Sequence, residues 1–473
     1  MGELRSSDGV TFEVACDVLV AGGGAAGLIA ALRAKQAGAD VLVVERDAVP
    51  RGSTALSAGL IPAAQTRFQR DADIADSRQQ FADDIMAKAH GEPDARAVAA
   101  VVDAVGPAIE WLADAHGLPF SVISNFTYPG HSAMRMHGLP SRSGAELIDR
   151  LRAAAEHAGI DIITSAQVTA LFSDAARRIQ GIEISRPDGS TDRIGCGALV
   201  LATNGYGGNK EMVAQNIPEM AGALYFGHPG NQGDAVLWGG ALGADVRHLP
   251  GYQGHGSVAL PHGILISWAT ITEGGFQVNA RGERFANEAL GYSEAAANVI
   301  AQPDHLAWTL FDARIAGIAR QFEDFRQAEA AGAILSAEDV NTLAVAAKLP
   351  VDALVETCRA VDALKAANAV DAFGRDWRGQ LALKAPLHAV RVTGALFHTQ
   401  GGLVIDGAAR VLDRTGERLP NLFAAGGAAC GVSGSSAAGY LSGNGLLTAV
   451  AYGFIAGAEA ARRDRAWWSK PNS

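Results

Sequence analysis

The chain has 473 residues, 48% hydrophobic and 19% charged, and its 39 Lys and Arg against 50 Asp and Glu leave a formal charge of −11. That length supports two or three domains around sizeable cores. The acidic balance, with no basic patch, argues against nucleic acid and anionic membrane as partners. The four cysteines, Cys16, Cys196, Cys358 and Cys430, form no metal-like pair and read as buried thiols in a reducing cytoplasm. No C-x-x-C-H haem motif is present, residues 1–20 lead one to expect no signal peptide, and no run of about 18 apolar residues predicts a membrane span.

Residues 12–48 read β-α-β. The strand Cys16–Ala21 runs into Gly22-Gly23-Gly24-Ala25-Ala26-Gly27, a helical stretch follows, and a second strand, Ala39–Val44, ends on Glu45. This is a dinucleotide-binding fingerprint in its proper context. Gly22 permits a tight turn, Gly24 lets backbone approach a pyrophosphate, and Gly27 lets the helix pack on the strand. The helix N-terminus turns N–H groups and partial positive charge toward a diphosphate. Glu45, 23 residues after Gly22, stands where a carboxylate binds both hydroxyls of an adenosine ribose. The fingerprint by itself does not separate FAD from NAD.

A loop of small residues, 51–59, comes next. Residues 73–116 read as helical, and a further helix begins at Gly144 and stops at Gly159. A short strand, 160–163, leads to a β-meander over 167–194 that turns at Arg186-Pro187-Asp188-Gly189. Residues 198–203 form a buried strand ending on Asn204–Asn209. From about 230 to 385 the texture changes to loops, aromatics and amphipathic helices, at about 313–332 and 336–369, the second interrupted at Pro350. These residues read as an inserted cap. Strand-and-glycine texture returns from Arg391, and a long apolar helix runs from about Gly445 to Ala461. The expected class is α/β, a Rossmann-type domain (1–229 and 389–473) carrying an inserted α+β cap, or substrate, domain (230–388).

Segments in order along residues 17–457 carry a family resemblance. They are the fingerprint with Ser53–Gly59, then Leu201–Asn209, Gln232–Ala235, Asn279–Glu288, His398–Gly402 and Gly439–Gly445. The chain resembles the flavoprotein subunit of the fumarate reductase and succinate dehydrogenase superfamily, which includes 3-ketosteroid and tricarballylate dehydrogenases. The resemblance implies FAD, extended across the Rossmann domain and covered by the cap. Its implied cradle starts with Gly22, Gly24, Ala25, Ala26, Gly27, Glu45 and Arg46. It continues through Ser53, Thr54, Ser57, Ala58 and Gly59, then Val168, Ala202, Thr203, Asn204, Gly205, Asn209 and Asp234. It closes with Gly426, Gly427, Gly443, Asn444 and Leu446. The flavin's pyrimidine edge is expected at the N-terminus of the last helix, which stabilises charge on the reduced ring. Relatives that bind FAD covalently use a His in the loop after the fingerprint; residues 49–66 hold none, so FAD is expected to be non-covalent.

The chain also departs from the fumarate reductases. Their proton-donor Arg is matched by Tyr292, their carboxylate-clamping Arg by Tyr440, and a relay Arg after Thr272-Glu273 by Phe276. A site without these guanidiniums cannot grip a dicarboxylate bidentately. Tyrosines at the first two positions, with Tyr440-Leu441-Ser442-Gly443, look like the 3-ketosteroid dehydrogenase branch. The implied reaction desaturates, or in reverse reduces, a C–C bond beside a carbonyl. Tyr440 polarises the carbonyl with Ser442 close by, Tyr292 transfers the proton, and hydride passes to or from flavin N5. His398 matches a substrate-binding His of the fumarate branch. Tyr128, His131, Arg135 and His137 form a polar cluster in a loop, and Arg142 is the cation nearest to hand for a carboxylate substrate. Gly427 stands where relatives usually carry a Glu against the ribityl chain. Two alternatives stay open: a di- or tricarboxylate enzyme resting on His398, Thr272 and Glu273, and an electron-transfer subunit without a substrate of its own. A small-molecule substrate and a separate electron donor or acceptor are the expected partners.

Overall fold

Val18–Ala21 is wholly buried, the pattern of a strand covered on both faces of a parallel sheet. In the computed structural model, which describes residues 2–125 and 127–462, the strand Val14–Ala21 lies between Thr191–Leu201 and Val41–Val44. Asp161–Ile163 and Arg418–Ala424 extend the parallel set on either side. The meander expected to end at 194 and the strand expected to start at 198 are one element. One strand, Thr191–Leu201, pairs antiparallel with Ile179–Ser185 at its start and parallel with Val14–Ala21 further on. Gly195 and Gly197 lie within this strand, and a meander and a Rossmann strand share one backbone.

The helical stretch expected over 73–116 is two helices, Arg78–Lys88 and Ala95–His116. Pro93 falls in the break, and the Asp94 side chain caps the second helix through the Arg96 N–H. The helix Gly144–His157 is capped by Ser143 and ends at Gly159, which takes the left-handed conformation.

The first helix, Ala25–Gln36, and the last, Asn444–Ala461, pack together through small residues. A Cβ on Gly453 would collide with the Ala26 carbonyl, and one on Gly457 with the Ala30 carbonyl. Both contacts step forward by four residues, so the helices run parallel. The contact lies one residue into the first helix and nine into the last, which therefore begins eight residues, about 12 Å, further back.

The chain divides into two compact units, 1–216 with 227–252 and 398–473, and 217–226 with 253–397. The expected cap was 230–388. Residues 227–252 go with the first unit because Val246–Arg247 pairs with Gly402–Leu403 there. Residues 389–397 go with the second because Leu387–Thr399 is the central strand of its seven-stranded sheet, pairing with Ala307–Asp312, Ile334–Ala337 and Leu224–Tyr225. The expected helix 313–332 is Ala313–Ala319 and Glu323–Ala330, and Ile334–Ala337 is a strand. The outermost chain ends, residue 1 and residues 463–473, lie outside the described residues.

A Gly457→Val change forces a branched side chain into the Ala30 carbonyl. It is expected to cost about 2 kcal/mol, read as a lower denaturation midpoint of the purified protein.

Candidate functional site

The fingerprint glycines meet three different constraints. Gly22 has φ +109°, and a side chain there would strike the Ala202 carbonyl. A Cβ on Gly27 would strike the Gly22 carbonyl, so helix and strand meet backbone to backbone. At Gly24 the space is open, with only Thr54 Oγ1 near, at 3.7 Å. Gly24 caps the first helix without any side-chain cap bond, and Thr54 Oγ1 accepts the Ala25 N–H at 3.1 Å. The buried Glu45 accepts from Gly23 N–H at 2.7 Å and from Asp47 N–H at 2.9 Å, one per carboxylate oxygen. A carboxylate has further lone pairs to offer hydroxyl groups.

The loop after the fingerprint is tied down from both ends. Ser53 Oγ accepts from the His228 N–H and the Asn231 amide, and Ser57 Oγ donates to the Thr54 carbonyl at 2.7 Å. A Cβ on Gly59 would strike the Ser143 backbone. Ala58 is half-buried, and Arg46 Nη1 donates to the Gly230 carbonyl at 2.6 Å. Ala202 N–H donates to Ala21, which carries the parallel sheet up to the Thr203–Gly205 turn. Asn204 there has φ +63°, and its Oδ1 accepts the Gly205 N–H. That amide fills the space a side chain on Gly427 would need. The side chains of Asn209 and Asp234 stay with the scaffold. Asn209 donates to the Gln232 carbonyl and accepts from the Met212 N–H, while Asp234 opens a helix and burial pushes its pKa up. Val168 sits in a strand opposite Ile184, and Gly426 has φ +61°.

At the start of the last helix, Gly443 takes the left-handed conformation (φ +87°) and no side chain caps it. The first-turn N–H groups, Gly445 and Leu446 included, therefore lack intrahelical acceptors. Asn444 is wholly buried; its amide nitrogen donates to Ser433 Oγ and its Oδ1 has no partner. Thr203 Oγ1 is a second buried oxygen without a partner. His398 packs its ring on Gly445, where a Cβ would collide with the imidazole. Tyr440 is buried and sits edge-on to that ring, centroids 5.8 Å apart at 82°. Desolvation pushes His398 down to about 4, so it is neutral at pH 7. An open Gly24, two unpartnered buried oxygens and two helix N-termini without capping side chains on their Ncap residues, staggered by about 12 Å, suit an extended dinucleotide.

In the second unit, Tyr292 follows Gly291 (φ +148°) and opens the helix Tyr292–Ile300. Its ring stacks on His255, centroids 4.8 Å apart at 19°, with Trp268 edge-on to both. His255 was missed by sequence reasoning because it lies inside a buried strand, Tyr252–Ala259, with no motif around it. Burial pushes its pKa down to about 3, and its Nδ1 accepts the Ser257 N–H at 3.1 Å. Phe276, which stands where the resemblance leads one to expect a relay Arg, shares a core cluster with Leu310 and Trp377. The loop before it is held by its carbonyls. Arg375 takes Ile271 and Gly275, Arg314 takes Glu273, and Lys365 takes Gly274. Burial pushes Lys365 down to about 8.

Glu288 anchors that arrangement. It accepts from Arg284 at 2.7 Å, Arg375 at 3.0 Å and the Gln277 N–H at 3.0 Å; Glu288, Arg375 and Gln277 are buried and Arg284 is half-buried. Burial pushes its pKa up, but the two guanidiniums outweigh that and hold it below the usual 4.5. A depressed folded-state pKa stabilises above the unfolded value and loses that contribution as pH falls. Stability is thus expected to fall as pH drops below about 4.5, with a smaller slope in Glu288→Gln. At pH 7 that variant is expected to lose about 3 kcal/mol in denaturant titration, because Arg375 stays buried without its counter-charge. Separately, Glu45→Ala is expected to weaken FAD binding about tenfold, measured by flavin fluorescence on dilution.

Among the described residues no helix is long and apolar enough to cross a membrane. The sequence profile of a family described as an FAD binding domain matches residues 17–446. A probable fumarate reductase of Shewanella frigidimarina is 31% identical over 94% of this chain and 74% of its own length. The open conformation of a flavocytochrome c3 fumarate reductase superposes with a TM-score of 0.80 at 30% identity, covering 95% of this chain and 78% of that one. The 3-ketosteroid-Δ4-(5α)-dehydrogenase of Rhodococcus jostii superposes with a TM-score of 0.76 at 25% identity, covering 98% and 100%. Both lines of descent share the fold built above, and the chain belongs to this FAD-binding-domain family of oxidoreductases, with FAD as its cofactor.

Proposed function

We propose that this enzyme adds or removes hydrogen across a C–C bond next to a carbonyl, in the manner of a 3-ketosteroid dehydrogenase. The reading is carried by Tyr292, Tyr440 and Phe276, which stand where the family resemblance leads one to expect the arginines of the fumarate reductases. A neutral carbonyl needs a hydrogen-bond donor; a dicarboxylate needs guanidinium forks. FAD supplies the hydride acceptor or donor when bound. Gly22, Gly24, Gly27, Glu45 and the two helix N-termini would hold it. Tyr440 donates its phenol O–H to the substrate carbonyl, which acidifies the adjacent C–H. Tyr292, deprotonated, takes that proton in desaturation, and as the phenol it returns the proton in reduction. Ser442 and the neutral His398 flank Tyr440 on the first unit and add polar contacts. The electron donor or acceptor is a separate molecule. Four free thiols, Cys16, Cys196, Cys358 and Cys430, suit a cytoplasmic location.

A second reading, a di- or tricarboxylate enzyme, is favoured by the fumarate reductase names of several relatives and by the retained His398, Thr272 and Glu273.

The two are separated by anaerobic titration of the oxidised holoenzyme. Bleaching of the flavin by a saturated 3-ketosteroid, but not by succinate or tricarballylate, is expected. Bleaching by the acids alone overturns the carbonyl reading and favours the second. In the first case Tyr292→Phe and Tyr440→Phe are each expected to slow flavin reduction by about a hundredfold or more. Full turnover in both variants would remove the tyrosines from the mechanism.

A further inference from the structure

Arg135 is buried completely. Its guanidinium forks onto Asp76, with Nη2–Oδ1 at 2.8 Å and Nε–Oδ2 at 3.0 Å, pairs with Asp84, and lies 4.6 Å from the centre of the Phe81 ring. Its Nη1 also reaches His131 Nδ1 at 3.3 Å, and His131 Nε2 lies 2.9 Å from the Ser442 carbonyl oxygen. A guanidinium only donates and a carbonyl only accepts. His131 therefore accepts at Nδ1 and donates from Nε2–H, as one neutral tautomer. Burial, helped by the Arg135 charge, pushes its pKa down to about 4. His137 is wired the opposite way, with Nδ1–H to the Arg135 carbonyl at 2.9 Å and Nε2 accepting from the Thr66 hydroxyl at 2.7 Å.

We propose that His131 is a positioning residue that fixes the Ser442–Gly443 peptide at the N-terminus of the last helix. In a trans peptide the C=O and the next N–H point in opposite directions. Anchoring the Ser442 oxygen on His131 thus turns the Gly443 N–H to the other side, the helix cap. The buried Asn444, with its unpartnered Oδ1, follows directly. The Asp84–Arg135–His131 string so orients the dipoles that meet negative charge at this helix start. The inference rests on the reading that this helix start faces the flavin.

The test uses holoenzyme and sulfite, which adds to the oxidised flavin, places negative charge on it and bleaches its visible band. His131→Leu is expected to raise the sulfite Kd about fivefold, the size of a helix-terminus charge interaction of about 1 kcal/mol. His131→Gln, whose amide can donate to Ser442 and accept from Arg135, is expected to stay within about twofold of the wild type. A His131→Leu value within twofold of the wild type, or equal weakening in both variants, overturns the proposal. Nitrogen-15 histidine spectra of the wild type provide a check that needs no folded leucine variant. The signal lost in His131→Gln should carry the Nε2–H pattern at pH 7; an Nδ1–H or imidazolium pattern overturns it. Neither measurement uses a substrate, so failure of the carbonyl reading shows in the titration above and not here. A misplaced flavin shows as unchanged sulfite affinity with the Nε2–H tautomer present.

Discussion

Backbone-to-backbone contact between two parallel helices is the constraint on which the FAD unit depends. Gly453 and Gly457 let the last helix press against the Ala26 and Ala30 carbonyls, and Gly27 lets the first helix press against its strand. No larger residue fits at any of these points. The result is a rigid pair of helix N-termini pointing the same way, offset by about 12 Å along their common direction. Each end carries unsatisfied N–H groups and partial positive charge. A cofactor with a diphosphate in its middle and an electron-accepting ring at one end matches two such ends better than one.

The second unit is organised by charge where the first is organised by glycine. Glu288, Arg284, Arg375 and Asp371 form a buried network, with Trp377 under the Arg375 guanidinium at 3.8 Å. Buried ion pairs add little net stability, but breaking one is costly, so such a network specifies geometry. Here it joins the segment that leads into Tyr292 to the loop that carries Thr272 and Glu273. The guanidiniums of Arg284 and Arg375 thus have structural partners in this unit, while Phe276 and Tyr292 present aromatic rings. The His255–Tyr292 stack gives Tyr292 a defined ring orientation.

Much of this was legible in the chain itself. The fingerprint, its flanking strands, Glu45 and the terminal helix are set by local rules: periodicity, glycine conformation and capping, all readable over a few residues. Phe276, Tyr292 and Tyr440 were singled out by motif spacing in the same way, without knowledge of the fold. Local rules misjudged elements whose state depends on a distant partner. Ile334–Ala337 is a strand because Leu387–Val390 offers it an edge, and residues 227–252 join the first unit because Gly402–Leu403 does the same.

The polar network was the least legible feature. His131, Arg135 and His137 read as a loop that could as well have been exposed, yet all three are buried. Asp76 and Asp84, which make that burial possible, lie about fifty residues earlier, and Ser442, which fixes the His131 tautomer, lies 311 residues later. Sequence determined the fold class and the cofactor, because these follow from residue types at short, fixed spacings. Tertiary structure alone decided which charges are buried, which histidines are neutral and which carbonyls are held, because desolvation and hydrogen-bond pairing depend on neighbours that only folding brings together.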